Sequence, residues 1–105
     1  MSIEQQVEIL SELVQIMHDS ADGAYDSLCC EFDHEAYEGG WSVGSAYAFV
    51  RDGVSVSKIL ADPDDRASDL VNQLHQVMQA HTGGDWSKFL LSVDGEGRAN
   101  TKFTY

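Results

Sequence analysis

No lysine or arginine occurs before Arg51, so the first fifty residues carry ten carboxylates and no permanent positive side chain. These are Glu4, Glu8, Glu12, Asp19, Asp22, Asp26, Glu31, Asp33, Glu35 and Glu38. All six bases lie from Arg51 onward beside the other eight acids, which puts ten of the twelve net negative charges in the first half. Unbalanced like charge repels itself and destabilises a compact state, so a surface kept this way gains something in exchange. The expected gain is a field that draws in a positively charged partner. The same field, at a sequence pI near 4.3, repels nucleic acid and anionic membranes.

Other absences narrow the field further. No apolar run approaches the ~18 residues of a membrane span, and the first residues lack a basic segment followed by an apolar one. A cytoplasmic protein is expected. The two cysteines, Cys29 and Cys30, are adjacent. On a strand they point to opposite faces, which favours two reduced thiols over a disulfide or a metal site. There is no glycine-rich phosphate loop, nucleophile elbow or helical His-Glu metal motif. Asp19, Asp22, Gly23 and Asp26 imitate a calcium loop, but Ala21 and Gly23 stand where oxygen ligands are needed and no glutamate closes it. No cofactor and no metal are expected, and an enzyme is the least supported class.

What is present is enough to fold. At 105 residues with 43% hydrophobic and 10% aromatic content, the chain is sized for one domain of roughly 13 Å radius of gyration. Ile3, Val7, Leu10, Leu13, Val14 and Met17 recur at helical spacing, and Ser2 with Gln5 forms a capping-box pattern. Glu4, Glu8 and Glu12 share the outward face. Tyr25 to Phe32 alternates as a strand, residues 33–40 read as a polar loop, and Trp41 to Val50 follows as a second strand. Asp52-Gly53 signals a tight turn into a third strand, Val54 to Leu60. Asp62-Pro63 opens a second helix with a stripe of Ala67, Leu70, Val71, Leu74, Val77 and Met78, and Gly83-Gly84 ends it. Trp86 to Val93 and Arg98 to Tyr105 make a last hairpin around Asp94-Gly95-Glu96-Gly97. The fold class is α+β: one domain, order α-β-β-β-α-β-β, a mainly antiparallel sheet with both helices on one face.

Candidate sites divide by chemistry. His34 beside Glu35 reads as a solvated pair on an exposed loop rather than an acid–base couple. His18 follows the apolar stripe of helix one, His75 falls between the buried positions of helix two, and His81 suits the dipole at that helix's end. The stretch from Asp19 to Trp41 instead combines charge with anchors. Asp19, Asp22, Asp26, Glu31, Asp33, Glu35 and Glu38 steer a basic partner, while Tyr37 and Trp41, with Tyr25 nearby, can bury area and keep a polar handle. Asp19, Asp22, Asp26, Glu31, Asp33, Glu35, Tyr37, Glu38 and Trp41 form the candidate partner-binding set.

The segment Asp85-Trp86-Ser87-Lys88-Phe89-Leu90-Leu91-Ser92-Val93-Asp94-Gly95-Glu96-Gly97, closing in Lys102-Phe103-Thr104-Tyr105, resembles the ending of YezG-like immunity proteins. The resemblance implies an antitoxin that binds and occludes a cognate bacterial toxin domain, of which many are basic nucleases. It also implies that Trp86, Phe89, Leu91, Phe103 and Tyr105 are scaffold and Asp94-Gly95 a turn, leaving recognition to the acidic half. A free monomer is expected. The rival is an acidic type III secretion chaperone, which resembles this chain in charge but binds extended effector segments as a dimer and usually adds a C-terminal helix.

Overall fold

The computed structural model describes residues 2–21, 23–60, 65–82 and 86–104, without the side chains of residues 2, 3, 81 and 82. Asp22, the Asp62-Pro63 cap, the Gly83-Gly84 stop and Tyr105 lie outside the described residues, as do the capping side chain of Ser2 and the imidazole of His81. The order is α1 (Ser2–Ala21), β1 (Ser27–Tyr37), β2 (Gly40–Arg51), β3 (Val54–Lys58), α2 (Arg66–Thr82), β4 (Lys88–Val93) and β5 (Ala99–Thr104). The α+β class and the α-β-β-β-α-β-β order are those expected from the sequence. Among the described residues no helix is long and apolar enough to cross a membrane.

All five strands pair antiparallel in the order β3-β2-β1-β4-β5. The order places β1 at the centre. Its alternate residues Leu28, Cys30, Phe32 and His34 are buried, while Glu31, Asp33 and Glu35 are exposed. A half-covered antiparallel sheet has this pattern, with one face under the helices and one face open. On the covered face Leu28, Cys30 and Phe32 join Tyr47, Phe49, Phe89, Leu91 and Val93. α1 and α2 close over them with Ile9, Leu13, Met17, Ala67, Leu70, Val71 and Leu74. Trp86 is 1% exposed and packs edge-on to Phe89 at 5.1 Å, which in turn lies 5.3 Å from Phe32. Truncating any of these aromatic side chains to alanine costs about 3–5 kcal/mol, by lost transfer energy and the cavity left behind.

Three local expectations are corrected. Residues 33–37 are not a polar loop but the second half of β1, paired with β2 up to Tyr37↔Gly40. Their alternation of Asp33, Glu35 and Tyr37 with His34 and Ala36 is a strand pattern whose inward residues are polar or small, so composition disguised it. Val7 is 58% exposed rather than part of the helical stripe. The buried line on α1 runs through Ile9, Leu13, Met17 and Ala21, rotating the helix so that Val7 clears the sheet. β3 ends at Lys58, where Ile59 stays 90% exposed and Leu60 turns in to the core.

The turn residues are legible from backbone physics. Asp52 and Gly53 both have positive φ, 54° and 76°, as a two-residue hairpin turn of the primed type requires. Cys29 and Cys30 are free thiols, with Cys30 buried and Cys29 only partly covered, as opposite sheet faces dictate.

Candidate functional site

β1 is 11 residues long, so the candidate partner-binding set is stretched over roughly 33 Å at the rise of an extended strand. It cannot form one point site, and it separates into three groups. At one end lie Asp19 and Asp26. Asp19 Oδ1 accepts a hydrogen bond from Gln15 Nε2 at 2.9 Å, and Asp26 Oδ2 accepts from the Gly53 amide at 3.1 Å. Asp19 bonds within α1 and Asp26 ties the segment before β1 to the β2–β3 turn, so both serve the scaffold.

The middle group is Glu31, Asp33 and Glu35 on the open face of the sheet. Register sets them directly beside Ala46, Gly44 and Ser42 of β2. The Asp33 carboxylate turns toward β2, where Oδ1 accepts from the Gly44 amide at 3.0 Å. It occupies the space a side chain at position 44 would need, since a Cβ there would meet Asp33 Oδ2 at 2.6 Å. On the other flank, Lys88 is opposite Asp33 and Lys102 is opposite Leu90.

The third group is the tip of the β1–β2 hairpin, with Tyr37, Glu38 and Trp41. Tyr37 is 56% and Trp41 37% exposed. The Tyr37 ring lies over Gly40, 3.6 Å from where its Cβ would be, and its hydroxyl donates to the Trp41 carbonyl at 3.3 Å. The ring thus crosses the strand, and its hydroxyl bond ties it to the tip.

Four of the six bases are engaged away from this acidity, while Lys88 and Lys102 stand on the open face itself. Arg51 donates from Nε to the Ala24 carbonyl and from Nη2 to the Ala21 carbonyl, both at 2.6 Å. Lys58 Nζ donates to the Ser20 carbonyl at 2.7 Å. The last carbonyls of a helix lack intrahelical partners and carry partial negative charge, so cations from β2 and β3 cap α1 there. Arg66 pairs with Glu12 at 2.6 Å across the two helices, which relieves the like-charge stripe of α1. Arg98 is held by Asp94 and Glu96 in its own turn. Backbone amides of Arg98 and Glu96 on Asp94 hold its carboxyl below the usual range.

One expectation at the site is overturned. His34 is not on an exposed loop and forms no solvated pair with Glu35, since the two point to opposite faces of β1. His34 is 9% exposed, and its Nε2 donates to Asn72 Oδ1 on α2 at 3.0 Å. Its ring stacks on His75 at 4.2 Å with an interplanar angle of 12°, and Trp86 meets both edge-on. Trp41 covers the outer side at 6.2 Å. This aromatic column joins the hairpin tip to the core. Sequence reasoning missed it, although the Phe32-x-His34 spacing on an alternating strand was the signal.

Among the described residues no group of three or more His, Cys, Asp or Glu is arranged to hold a metal. Burial pushes the Cys30 thiol up to about 12, so it stays protonated and unreactive at neutral pH. Burial likewise raises the Tyr47 phenol to about 12, and its hydroxyl donates to the Met17 carbonyl at 2.7 Å. Buried, protonated and hydrogen-bonded to the scaffold, these groups serve packing. The arrangement is suited to protein recognition: a charged open face next to an aromatic-bearing hairpin that rests on a rigid stack.

No family model matches the chain. A stretch of 78 residues, 72% of this chain, is 37% identical to a segment of a Stenotrophomonas maltophilia protein described as "Chorionicgonadotropic hormone-like protein". That segment is 18% of the relative's length, so the chain spans less than a fifth of the protein it matches.

Proposed function

We propose that this protein is a binding module of the immunity type, which captures a basic protein domain and neutralises it by occluding its working surface. The observation that carries the reading is the deployment of charge. Arg51, Lys58, Arg66 and Arg98 are engaged by backbone carbonyls or by local acids, while Glu31, Glu35 and Glu38 stay exposed along β1 and its hairpin tip, which also carries Tyr37 and Trp41. Holding four of the six cations elsewhere leaves Glu31, Asp33 and Glu35 on the open face with Lys88 and Lys102 as its basic residues. A net acidic patch that ends at the Tyr37 ring is complementary to a Lys- and Arg-rich surface such as a nuclease uses to grip phosphates. The resemblance of the β4–β5 hairpin to YezG-like immunity proteins supplies the class of partner, a bacterial toxin domain.

Binding is stoichiometric and needs no chemistry. Long-range attraction speeds encounter, and Tyr37 and Trp41 supply the buried centre. A standard interface of about 1,600 Å² in total takes about 800 Å² from each partner. With 6364 Å² of accessible surface, that is about an eighth of the protein's surface, an ordinary share for a standard interface.

The deciding experiment is co-expression with a growth-arresting toxin domain taken from a reading frame neighbouring this one. Growth rescue that disappears when Glu31, Glu35 and Glu38 are changed to glutamine together supports the reading. Growth arrest despite full expression of both proteins refutes immunity as the function. A salt titration of the association rate separates the steering component, which fades as ions screen exposed charges.

A further inference from the structure

The sheet has an open edge in the middle of one strand. β2 runs from Gly40 to Arg51, but β3 pairs only with residues 47–51. Beyond Lys58 the chain leaves the sheet, and Leu60 is buried in the core. Among the described residues the half of β2 from Gly40 to Ala46 therefore has β1 on one side and no strand on the other, with Ile59 and Leu60 lining a depression beside Ser45 and Ala46.

Hairpin geometry fixes which groups face that empty side. Residues flanking a two-residue turn exchange hydrogen bonds, and bonded pairs then alternate along the ladder. Tyr37↔Gly40 closes the turn at Glu38-Gly39, so the even-numbered residues of β2 bond to β1. Arg51↔Val54 closes the turn at Asp52-Gly53, so the odd-numbered residues bond toward β3. The amides and carbonyls of Val43 and Ser45 thus point outward, and among the described residues no hydrogen bond reaches them from that side. The Trp41 carbonyl at the end of this edge accepts from Tyr37.

The rows crossing the open face show what fits. Three successive rows read Glu35–Ser42, Asp33–Gly44 and Glu31–Ala46, each an acid, then a small residue, then the empty slot. A strand added in the slot lies about 10 Å from β1, two strand spacings away. Side chains it directs to the open face would cross Ser42, Gly44 or Ala46 before meeting a carboxylate. A lysine stem spans that floor, whereas a bulky residue at position 44 or 46 would block it. The Asp33 carboxylate already leans over Gly44 toward the slot. The opposite face of the slot abuts Val43 and Trp41, which suits apolar side chains.

We infer that the outer edge of β2 from Val43 to Ser45 takes an added strand from the partner, an extended segment with basic residues at alternate positions. Main-chain hydrogen bonds to Val43 and Ser45 supply attachment, and the three acid–small rows select lysine or arginine on one face. The inference rests on the proposed capture of a basic partner and specifies how that partner docks.

The probe is a capped peptide, Lys-Val-Lys-Val-Lys, titrated into the isotopically labelled full chain, with Glu-Val-Glu-Val-Glu as its charge-reversed counterpart. The amides of Val43 and Ser45 should become protected from exchange on binding, and the acidic peptide should bind at least tenfold more weakly. In an antiparallel addition the two valines lie opposite Val43 and Ser45 and turn their donors toward β2. N-methylation of the valines should then weaken binding at least tenfold and N-methylation of the lysines should not; the reverse pattern assigns a parallel strand and overturns this orientation. Ser45→Pro, which deletes one outward amide that has no partner among the described residues, should weaken binding similarly in a protein whose thermal unfolding is unchanged. If the basic peptide binds with the charge preference but neither amide is protected and valine methylation has no effect, strand addition is wrong and acidic recognition stands. Absence of binding, or equal binding of both peptides, overturns the inference. Protection of Val43 and Ser45 in the protein alone, rising with concentration alongside a dimer mass, assigns the edge to a second copy and also overturns it.

Discussion

Replacing Arg51 with methionine tests whether the first bases of the chain serve the fold rather than the surface. The guanidinium donates to Ala21 and Ala24 carbonyls at 2.6 Å each, and its carbon sits 4.7 Å from the Phe49 ring centroid. Hydrogen bonds involving a charged group contribute about 1.5–3 kcal/mol each when shielded. One of these acceptors is exposed and open to water, so the lower end applies to it. Loss of a cation at a helix C-terminus adds about 0.5 kcal/mol. Methionine keeps the apolar stem over Phe49, so packing changes little. The expected destabilisation is about 2–3 kcal/mol, or a fall in Tm of about 8–12 °C for a domain of this size. Arg51→Lys should recover about half, because one ammonium cannot span both carbonyls. Urea denaturation with an unchanged m-value measures it. If Arg51→Met lies within about 0.5 kcal/mol of the parent, water serves these carbonyls equally well and the capping argument fails.

Three further outcomes are expected. Cys30 and Tyr47 both titrate at about 12 in the folded state against ordinary values of 9.0 and 10.0. Their folded values are raised, so their stability contribution is full below pH 9 and is lost as pH rises toward 12, where the unfolded chain releases protons first. The urea midpoint should fall over that window and flatten in the Cys30→Ala, Tyr47→Phe double variant; a flat parent profile contradicts this. Trp86 is 1% exposed and Trp41 37%, so acrylamide should quench Trp41 selectively. Trp41→Phe should leave blue-shifted, poorly quenched emission; strong residual quenching would show that Trp86 is accessible. His34→Ala removes a ring stacked on His75 and the donor to Asn72, for an expected loss of about 2–3 kcal/mol in chemical denaturation. A loss under 0.5 kcal/mol would mean that the column is incidental to stability.

Much of the fold was legible because it depends on local periodicity. Leu13 and Met17 on α1, the Leu70–Leu74 stripe on α2, the Leu28–Phe32 alternation and the Asp52-Gly53 turn each state their element within a few residues. The candidate site was legible only as a charge bias. Nothing local distinguishes Asp26, just before β1, which accepts the Gly53 amide, from Glu31 on β1, which faces solvent. Residues 33–37 misled because polar composition suggests a loop, whereas pairing with β2 holds them extended beside an inward-facing His34.

The sequence by itself determined the α+β class, the order of elements, the identity of most core residues and the surplus of acid in the first half. These follow from side-chain chemistry and from repeats of two and 3.6 residues, which neighbours along the chain are enough to express. The tertiary structure alone decided that β1 is central, that Arg51 and Lys58 reach back to cap α1, that His34 stacks on His75, and that β3 stops short of Val43 and Ser45. Each of these joins residues far apart in the chain, and a contact of that kind exists only after the sheet has closed and the helices have packed. The acid surplus is therefore a property of the sequence, whereas the row of Glu31, Asp33 and Glu35 on the open face beside an unpaired strand edge is a property of the fold.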